Sequence, residues 1–469
     1  MDIRARLPVS LPHPNHTTSY WQSPLDGSLA DFLSAETVPG DIVDTVVIGS
    51  GITGAGVAWN LLQQEKKREG GVVMLEARQT CSSATGRNGG HTKAASYRTF
   101  PSHAQTLGLP LAVKIARFEY ANIQALHTFA AEHNIECEAR SCDTVDVIYD
   151  QKQWEECVNA VEMIRRGFVE PGDEKGVGRY TLWSAEEAKT AFLVGGIGMD
   201  GESVKGAVSY EAGSIHASKF VYGVLKLCLG DGSMRLFTNT PATKIEKAAD
   251  NACWAVHTPR GIIRARRVVL ATNAYTSFLC DKFHGSIVPL RGQVTAQRPG
   301  SNMPPSGLQN TYSFIYNGGY EYMTPRPGSI PDIIIGGGLA KSTDQGLGEY
   351  GTTDDSSLNS SISVYLGGAA KTYFGDETWG KDDEQGRVKQ EWTGIMGYTP
   401  DGFPFVGEVP DIEGMWIAAA FQGHGMVLAW ESARALVGLM GREDVSNWFP
   451  SPFIVTEERI GRRFEGRRS

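Results

Sequence analysis

Residues 45–58 read TVVIGSGITGAGVA, a short apolar run that ends in a turn almost without side chains. Within it, Gly49-Ser50-Gly51-Ile52-Thr53-Gly54 has the glycine spacing of a dinucleotide fingerprint. Gly49 makes the tight turn, Gly51 lets the backbone approach a pyrophosphate, and Gly54 lets the next helix pack close to the strand. The free amides and positive dipole end of that helix then face the phosphate charge. The pattern alone is weak, because an ordinary α/β turn can carry it; its surroundings strengthen it. Thr45–Ile48 reads as a strand, Val57, Leu61 and Leu62 share one helix face, and Val72–Leu75 reads as a second strand. Glu76 closes that strand, followed by Ala77 and Arg78. A carboxylate there accepts both ribose hydroxyls and repels a 2′-phosphate.

The chain around this unit has 469 residues, more than one hydrophobic core normally supports, so two domains are expected. Its 41% hydrophobic and 21% charged content is that of a globular protein, and 55 glycines indicate many turns or a backbone close to a ligand. A net charge of -9 argues against nucleic acid as a partner. The sequence holds no run of 18 apolar residues that would span a membrane. Seven cysteines without CxxC spacing point to a reduced, cytoplasmic chain, and no cluster has metal-ligand spacing, so no metal is expected. Residues 1–40, rich in Pro, Ser and Thr, lack the apolar centre of a signal peptide and read as an extended arm.

Residues 111–130 read as a helix, with Ile115, Phe118, Ala121, Ala125 and Phe129 in steps of three or four. Thr144–Tyr149 reads as a strand, followed by a helix with Trp154, Val158, Val161 and Ile164 on one side. Ser184-Ala185-Glu186-Glu187 has capping-box form. A helix over 217–228 precedes strands at Arg235–Phe237, Ala252–Thr258 and Ile262–Arg264, then a wholly apolar one at Val268–Ala271. From Ile287 to Trp379 strands rich in Gly and aromatic residues (Val294–Gln297, Tyr320–Thr324, Ile333–Ile335) suggest an inserted antiparallel sheet. A strand at Met415–Ala420 and a helix from Met426 to Met440 follow.

FAD and NAD are separated by the next glycine-rich stretch, Ser83-Ala84-Thr85-Gly86-Arg87-Asn88-Gly89-Gly90-His91. Thr85 is placed to bond a pyrophosphate, and the Arg87–Gly90 backbone can run beside a ring system; a bare NAD site does not require this second segment. On these residues the sequence resembles the D-amino-acid oxidase/glycine oxidase/sarcosine oxidase family of FAD enzymes, with ATGRNGGH most similar to the γ-glutamylputrescine oxidase branch. The resemblance covers residues 42–440 and is dense in the flavin-binding segments. It implies an α/β fold: a Rossmann-like FAD-binding domain interleaved with a substrate domain on a largely antiparallel sheet. The expected division is an arm (1–40), an FAD domain (41–110, 205–285, 390–445), a substrate domain (111–204, 286–389) and a tail (446–469). By the same resemblance, Ala242 and Thr243 lie in the strand whose backbone meets the adenine. Ala271 and Thr272 belong to a strand end under the cofactor, and Pro289-Leu290-Arg291-Gly292-Gln293 starts the substrate sheet. Tyr398–Pro404 and Phe421–Met426 match the closing flavin motif.

Reducing a flavin places negative charge near N1 and the C2 carbonyl, and Gly423-His424-Gly425-Met426 precedes an apolar helix whose amides can stabilise it. The cofactor is expected to be FAD, bound without a covalent link: Trp392–Gly397, shortly before the Thr399-Pro400-Asp401 turn, lacks the cysteine that sarcosine-oxidase relatives use, and His91 stands one residue out of register with the histidine some relatives use. The expected reaction is oxidation of an amine or amino-acid C–N bond to an imine by hydride transfer to flavin N5, with oxygen or another acceptor as oxidant. The lysine that relatives place over N5 is absent from Gly318–Arg326. There Tyr320 and Tyr322 share one strand face and can flank a small-molecule amine, although ordinary sheet packing gives the same spacing. Arg326 can pair with a carboxylate, His424 can stand beside the substrate or N5, and Arg98 is a further candidate. Two alternatives remain. An NADPH-fed monooxygenase would need a second nucleotide site, and no second fingerprint lies between a strand and a helix; a flavin-binding scaffold would fit the missing lysine.

Overall fold

The structure is a computed structural model; it describes residues 1–23, 27–64, 70–170, 172–230, 232–248, 253–327 and 332–466. The fingerprint strand, Val43–Ile48, is buried throughout because its VDTVVI run lies in the middle of a parallel sheet. It pairs with Val72–Leu75 on one side and Gly261–Leu270 on the other, with Ile48 opposite Leu75 and Leu270. Met234–Phe237 extends one edge; Met415–Ala419 and then Phe405–Glu408 extend the other. Lys244–Lys247 and Trp254–Thr258 form an antiparallel flap on the near half of Gly261–Leu270. One continuous strand thus replaces the two expected at 262–264 and 268–271: its first half pairs with the flap and its second with Met415–Ala419. Ala252 lies outside the described residues.

Helices Ile52–Leu62, Ala217–Leu229 and Gly425–Met440 cover one face of this sheet in a shared apolar cluster that includes Val57, Val221, Trp430 and Leu436. The Leu109–Glu132 helix joins the cluster through Ile115, Phe118, Leu126 and Phe129. The parallel strands end together at Ile48, Leu75, Leu270 and Ala419, and open α/β sheets bind ligands at such an end.

The second sheet has nine strands and is antiparallel except where Thr311–Tyr316 runs parallel to Arg140–Ile148. Its order is Val388–Tyr398, Val288–Gln297, Ile333–Gly337, Gly319–Pro325, Thr311–Tyr316, Arg140–Ile148, Gly206–Ser214 and His91–Thr92, with Tyr180–Ser184 also on Gly206–Ser214. Strand pairing therefore moves the chain between sheets after Ser214 and after Tyr398, rather than at 205 and 390. Two unexpected helices support this half. Ser96–Leu107 contains Pro101, and Ser360–Trp379 carries Gly367, Gly368 and a break at Gly375 (φ 78°). Both are poor helices by propensity; burial of Tyr97 and Phe100 in one, and of Leu366, Ala370, Tyr373 and Phe374 in the other, holds them. The Ser184–Glu187 capping box forms. The C-terminal segment packs on the body of the molecule: Phe453, Val455, Ile460 and Phe464 are buried, and the Arg459 guanidinium clasps Asp401 at 2.6 and 3.0 Å.

Candidate functional site

A cavity of about 490 Å³ runs from the ends of the parallel strands to the face of the second sheet. The fingerprint explains its floor. Gly49 has φ 109°, and a Cβ there would stand 2.5 Å from the Ala271 carbonyl oxygen. A Cβ on Gly51 would stand 2.9 Å from Thr85 Oγ1, and one on Gly54 would overlap the Gly49 carbonyl. Backbone excludes a side chain at Gly49 and Gly54, and the Thr85 hydroxyl crowds one at Gly51, which leaves the bare surface that a dinucleotide cradle demands. The polar atoms around the cradle are held in place. Glu76 Oε2 accepts from the Ser50 amide (3.1 Å) and hydroxyl (2.6 Å), and Oε1 accepts from the Arg78 amide at 3.1 Å. Thr85 Oγ1 accepts from the Ile52 amide at 3.1 Å, at the first residue of the helix.

Of the expected cofactor residues, Gly49, Ser50, Gly51, Ile52, Thr53, Glu76, Ala77, Ser83, Ala84, Thr85, Arg87, Asn88, Gly89, His91, Ala242, Ala271, Thr272, Gly423, His424, Gly425 and Met426 line this cavity. Gly54, Arg78, Gly86, Gly90 and Thr243 do not line it. Ala242 does so from the coil before the Lys244–Lys247 strand rather than from a strand. Arg78 is tied by both Nη atoms to Asp355, at 3.0 Å each. Gly86 and Gly90 give carbonyls to Ser19 Oγ and the Ile215 amide. Arg87 is buried, donates through Nε to Thr393 O at 2.5 Å, and lies 3.7 Å from Asp355; burial brings its pKa down to about 10.

The closing motif is strained where it meets the cavity. Ala420, Gln422 and Gly423 have φ of 62°, 56° and 75°. Asn273 pins that turn, its Oδ1 accepting from the Ala420 and Phe421 amides at 3.0 and 3.4 Å. His424 follows, with Nδ1 donating to Gln422 O at 2.9 Å, and the helix begins at Gly425 with its positive end on the cavity.

Tyr320 and Tyr322 both line the cavity from the Gly319–Pro325 strand. Tyr322 fits between two glycines: a Cβ on Gly89 or Gly336 would overlap its ring. Arg98 lines the same region, its guanidinium 4.8 Å from the Tyr320 ring centroid. Arg326 is elsewhere. Its side chain is buried against Trp21, 4.6 Å from that ring, and pairs with Glu138, so it does not face the cavity. The Pro325-Arg326-Pro327 sequence suited a surface turn or a site equally, and only the tertiary position of the Trp21 arm decides.

Lys93 was not legible as a site residue, yet it lines the cavity. Its ammonium pairs with Asp146 and donates to Ser313 Oγ at 2.5 Å, and Asp146 in turn accepts from Tyr97 and Tyr210 at 2.8 and 3.0 Å. Burial lowers the Lys93 pKa and Asp146 counters it. The available signal was its place two residues after His91, which in extended chain puts both on one side. His91 Nε2 meets Thr311 Oγ1 at 2.6 Å; burial, then the Lys93 charge, holds the imidazole neutral. Among the described residues no group of His, Cys, Asp and Glu could hold a metal ion, and no helix is long and apolar enough to cross a membrane.

Comparison with known proteins agrees with this geometry. The chain is 20% identical to the probable oxidoreductase OrdL of Haemophilus influenzae, over 92% of this chain and 88% of the relative. It is 23% identical to the glycine oxidase of Geobacillus kaustophilus, over 88% and 96%. The crystal structure of glycine oxidase from that organism superposes with a TM-score of 0.67 at 21% identity, covering 88% of this chain and 98% of that one. The L-amino acid deaminase of Proteus vulgaris superposes with a TM-score of 0.66 at 18% identity, covering 90% and 98%. The glycine cradle, the fixed Glu76 carboxylate and the helix start at Gly425 suit FAD, and the family model described as FAD dependent oxidoreductase (DAO) matches residues 44–439: the chain belongs to that family of FAD enzymes.

Proposed function

We propose that the protein oxidises the C–N bond of an amine or amino acid to an imine, which water then hydrolyses. The observation that carries this reading is continuity: one cavity joins the dinucleotide cradle to a wall made by Tyr320, Tyr322, Arg98, Lys93 and His424. When bound, FAD would supply the two-electron redox chemistry, with oxygen or another acceptor as the final oxidant. The chain supplies position. Gly51, Thr85 and Glu76 would hold the diphosphate and ribose; Tyr322, wedged between Gly89 and Gly336, fixes one wall. Arg98, stacked on Tyr320, offers a bidentate partner to a substrate carboxylate, and Lys93, paired with Asp146, lines the same region. His424, whose Nδ1 donates to Gln422 O, stands at the same wall of the cavity. Glycine oxidase and L-amino acid deaminase among the relatives favour amino acids; the ATGRNGGH segment favours polyamine derivatives.

The test is anaerobic bleaching of the flavin across amino acids, N-methyl amino acids and polyamine derivatives. Bleaching by at least one of these panels is expected; bleaching by NADPH alone would overturn the reading. With a carboxylate substrate, Arg98→Met should lower kcat/KM by about a hundredfold, mainly through KM, and Arg98→Lys should recover part of it.

A further inference from the structure

The first 23 residues belong to the cavity more closely than an extended arm should. Leu11 and Pro12 line it directly. Between them and the FAD segments runs a chain of polar contacts. The His13 carbonyl accepts from Arg78 Nη1 at 2.9 Å, two residues past Glu76. The Thr17 amide and hydroxyl donate to the Asp355 carbonyl at 2.8 and 3.0 Å. Thr17 also accepts from Arg87 Nη2, and His16 Nδ1 stands 3.1 Å from Arg87 Nη1. Further along, Ser19 Oγ donates to Gly86 O at 2.6 Å, and the Trp21 indole donates to Asn88 O. Both backbone carbonyls belong to the second glycine-rich segment.

At the outer end Ser10 Oγ lies 2.7 Å from Thr353 Oγ1, and Arg4 donates to Tyr350 O at 2.7 Å. The arm is thus fastened at both ends of the stretch that covers the cavity. The buried centre of the fastening is Asp355, which Arg78 and Arg87 share.

We infer that residues 1–23 are a strap that forms part of the FAD site, closing it beside Glu76–Arg78, and that bound FAD leaves only when the strap lifts. This rests on the family's cofactor and not on the identity of the substrate. The strap and the cofactor then stabilise one another: each covers apolar or charged surface that the other leaves bare.

The experiment measures FAD release from the intact holoprotein, by the recovery of free-flavin fluorescence after dilution, without turnover. Leu11→Gly/Pro12→Gly removes the strap's contact with the cavity and should speed release by about tenfold, the factor expected for one or two lost apolar contacts. Ser10→Cys/Thr353→Cys, joined as a disulfide, should slow release by about tenfold relative to the same protein reduced; six of the seven native cysteines are buried, which limits cross-reaction. Trypsin cutting at Arg4 and Arg6 should be faster in the FAD-free protein than in the holoprotein. Release rates equal to the unmodified protein's in the glycine variant, or equal rates for the oxidised and reduced disulfide variant, would overturn the proposal.

Discussion

At Gly54 a single added methyl decides whether the site exists. Its Cβ would occupy the Gly49 carbonyl, backbone that cannot move without opening the turn. At Gly51 the neighbour is instead the Thr85 hydroxyl, a side-chain atom that can rotate. We therefore expect Gly54→Ala to lose flavin and about 1–3 kcal/mol of stability, and Gly51→Ala to fold normally with weaker FAD binding. Absorbance of the purified variants, with urea unfolding beside it, distinguishes the two. These glycines were legible because their roles depend on neighbours within a few residues. The positions of Lys93 and Arg326 were not, since the first is held at the cavity by Asp146 and Ser313 and the second is held away from it by Trp21 and Glu138.

The Gly319–Pro325 strand shows how one element serves two environments. Its alternation sends Tyr320 and Tyr322 to the cavity and Glu321 to the opposite face, where the Ser360–Trp379 helix packs. There the carboxyl meets the hydroxyls of Tyr316 (2.7 Å), Tyr373 (2.5 Å) and Tyr365 (3.2 Å) and the Gly338 amide (3.3 Å). Burial pushes its pKa from 4.5 up to about 7 against those hydrogen bonds. Between these values the folded state keeps a proton that the unfolded state has released, so stability falls as pH rises through this window and is level above it. The unmodified protein should lose on the order of 3 kcal/mol between about pH 4.5 and pH 7.5 that Glu321→Gln does not lose, as urea unfolding at the two pH values would show. The strand's alternation was legible, but the helix that buries Glu321 was not. Its glycines weaken the helical pattern, and its stability comes from Leu366, Ala370 and Tyr373 seated on a sheet formed by distant sequence.

Over the whole molecule, the two sheets and the α/β class were legible from the change in text near Ile287, whereas the crossing points at Ser214 and Tyr398 were not. A strand's sheet is chosen by its partners, and both Gly206–Ser214 and Val388–Tyr398 have apolar stretches that either sheet could take. Because the cavity lies between the sheets, FAD joins the two halves as well as serving the reaction. Removing it should lower the melting temperature by a few degrees, and restoring it at a hundred times its dissociation constant should return about 2.7 kcal/mol. Calorimetry with and without added FAD measures this.

The position of the Gly261–Leu270 strand, between Val43–Ile48 and Met415–Ala419, bears on how the protein is made. The fingerprint leaves the ribosome early, yet its helix packs against one that ends at Met440, and Gly56 has Ala433 almost in contact. Nearly all of the polypeptide must be translated before the bed for the flavin is whole. Loading is therefore a post-translational step, and during synthesis the nascent N-terminal half must wait with apolar strand edges uncovered. Cells short of riboflavin, or depleted of chaperones, should accumulate this protein as aggregate rather than as a soluble apoenzyme.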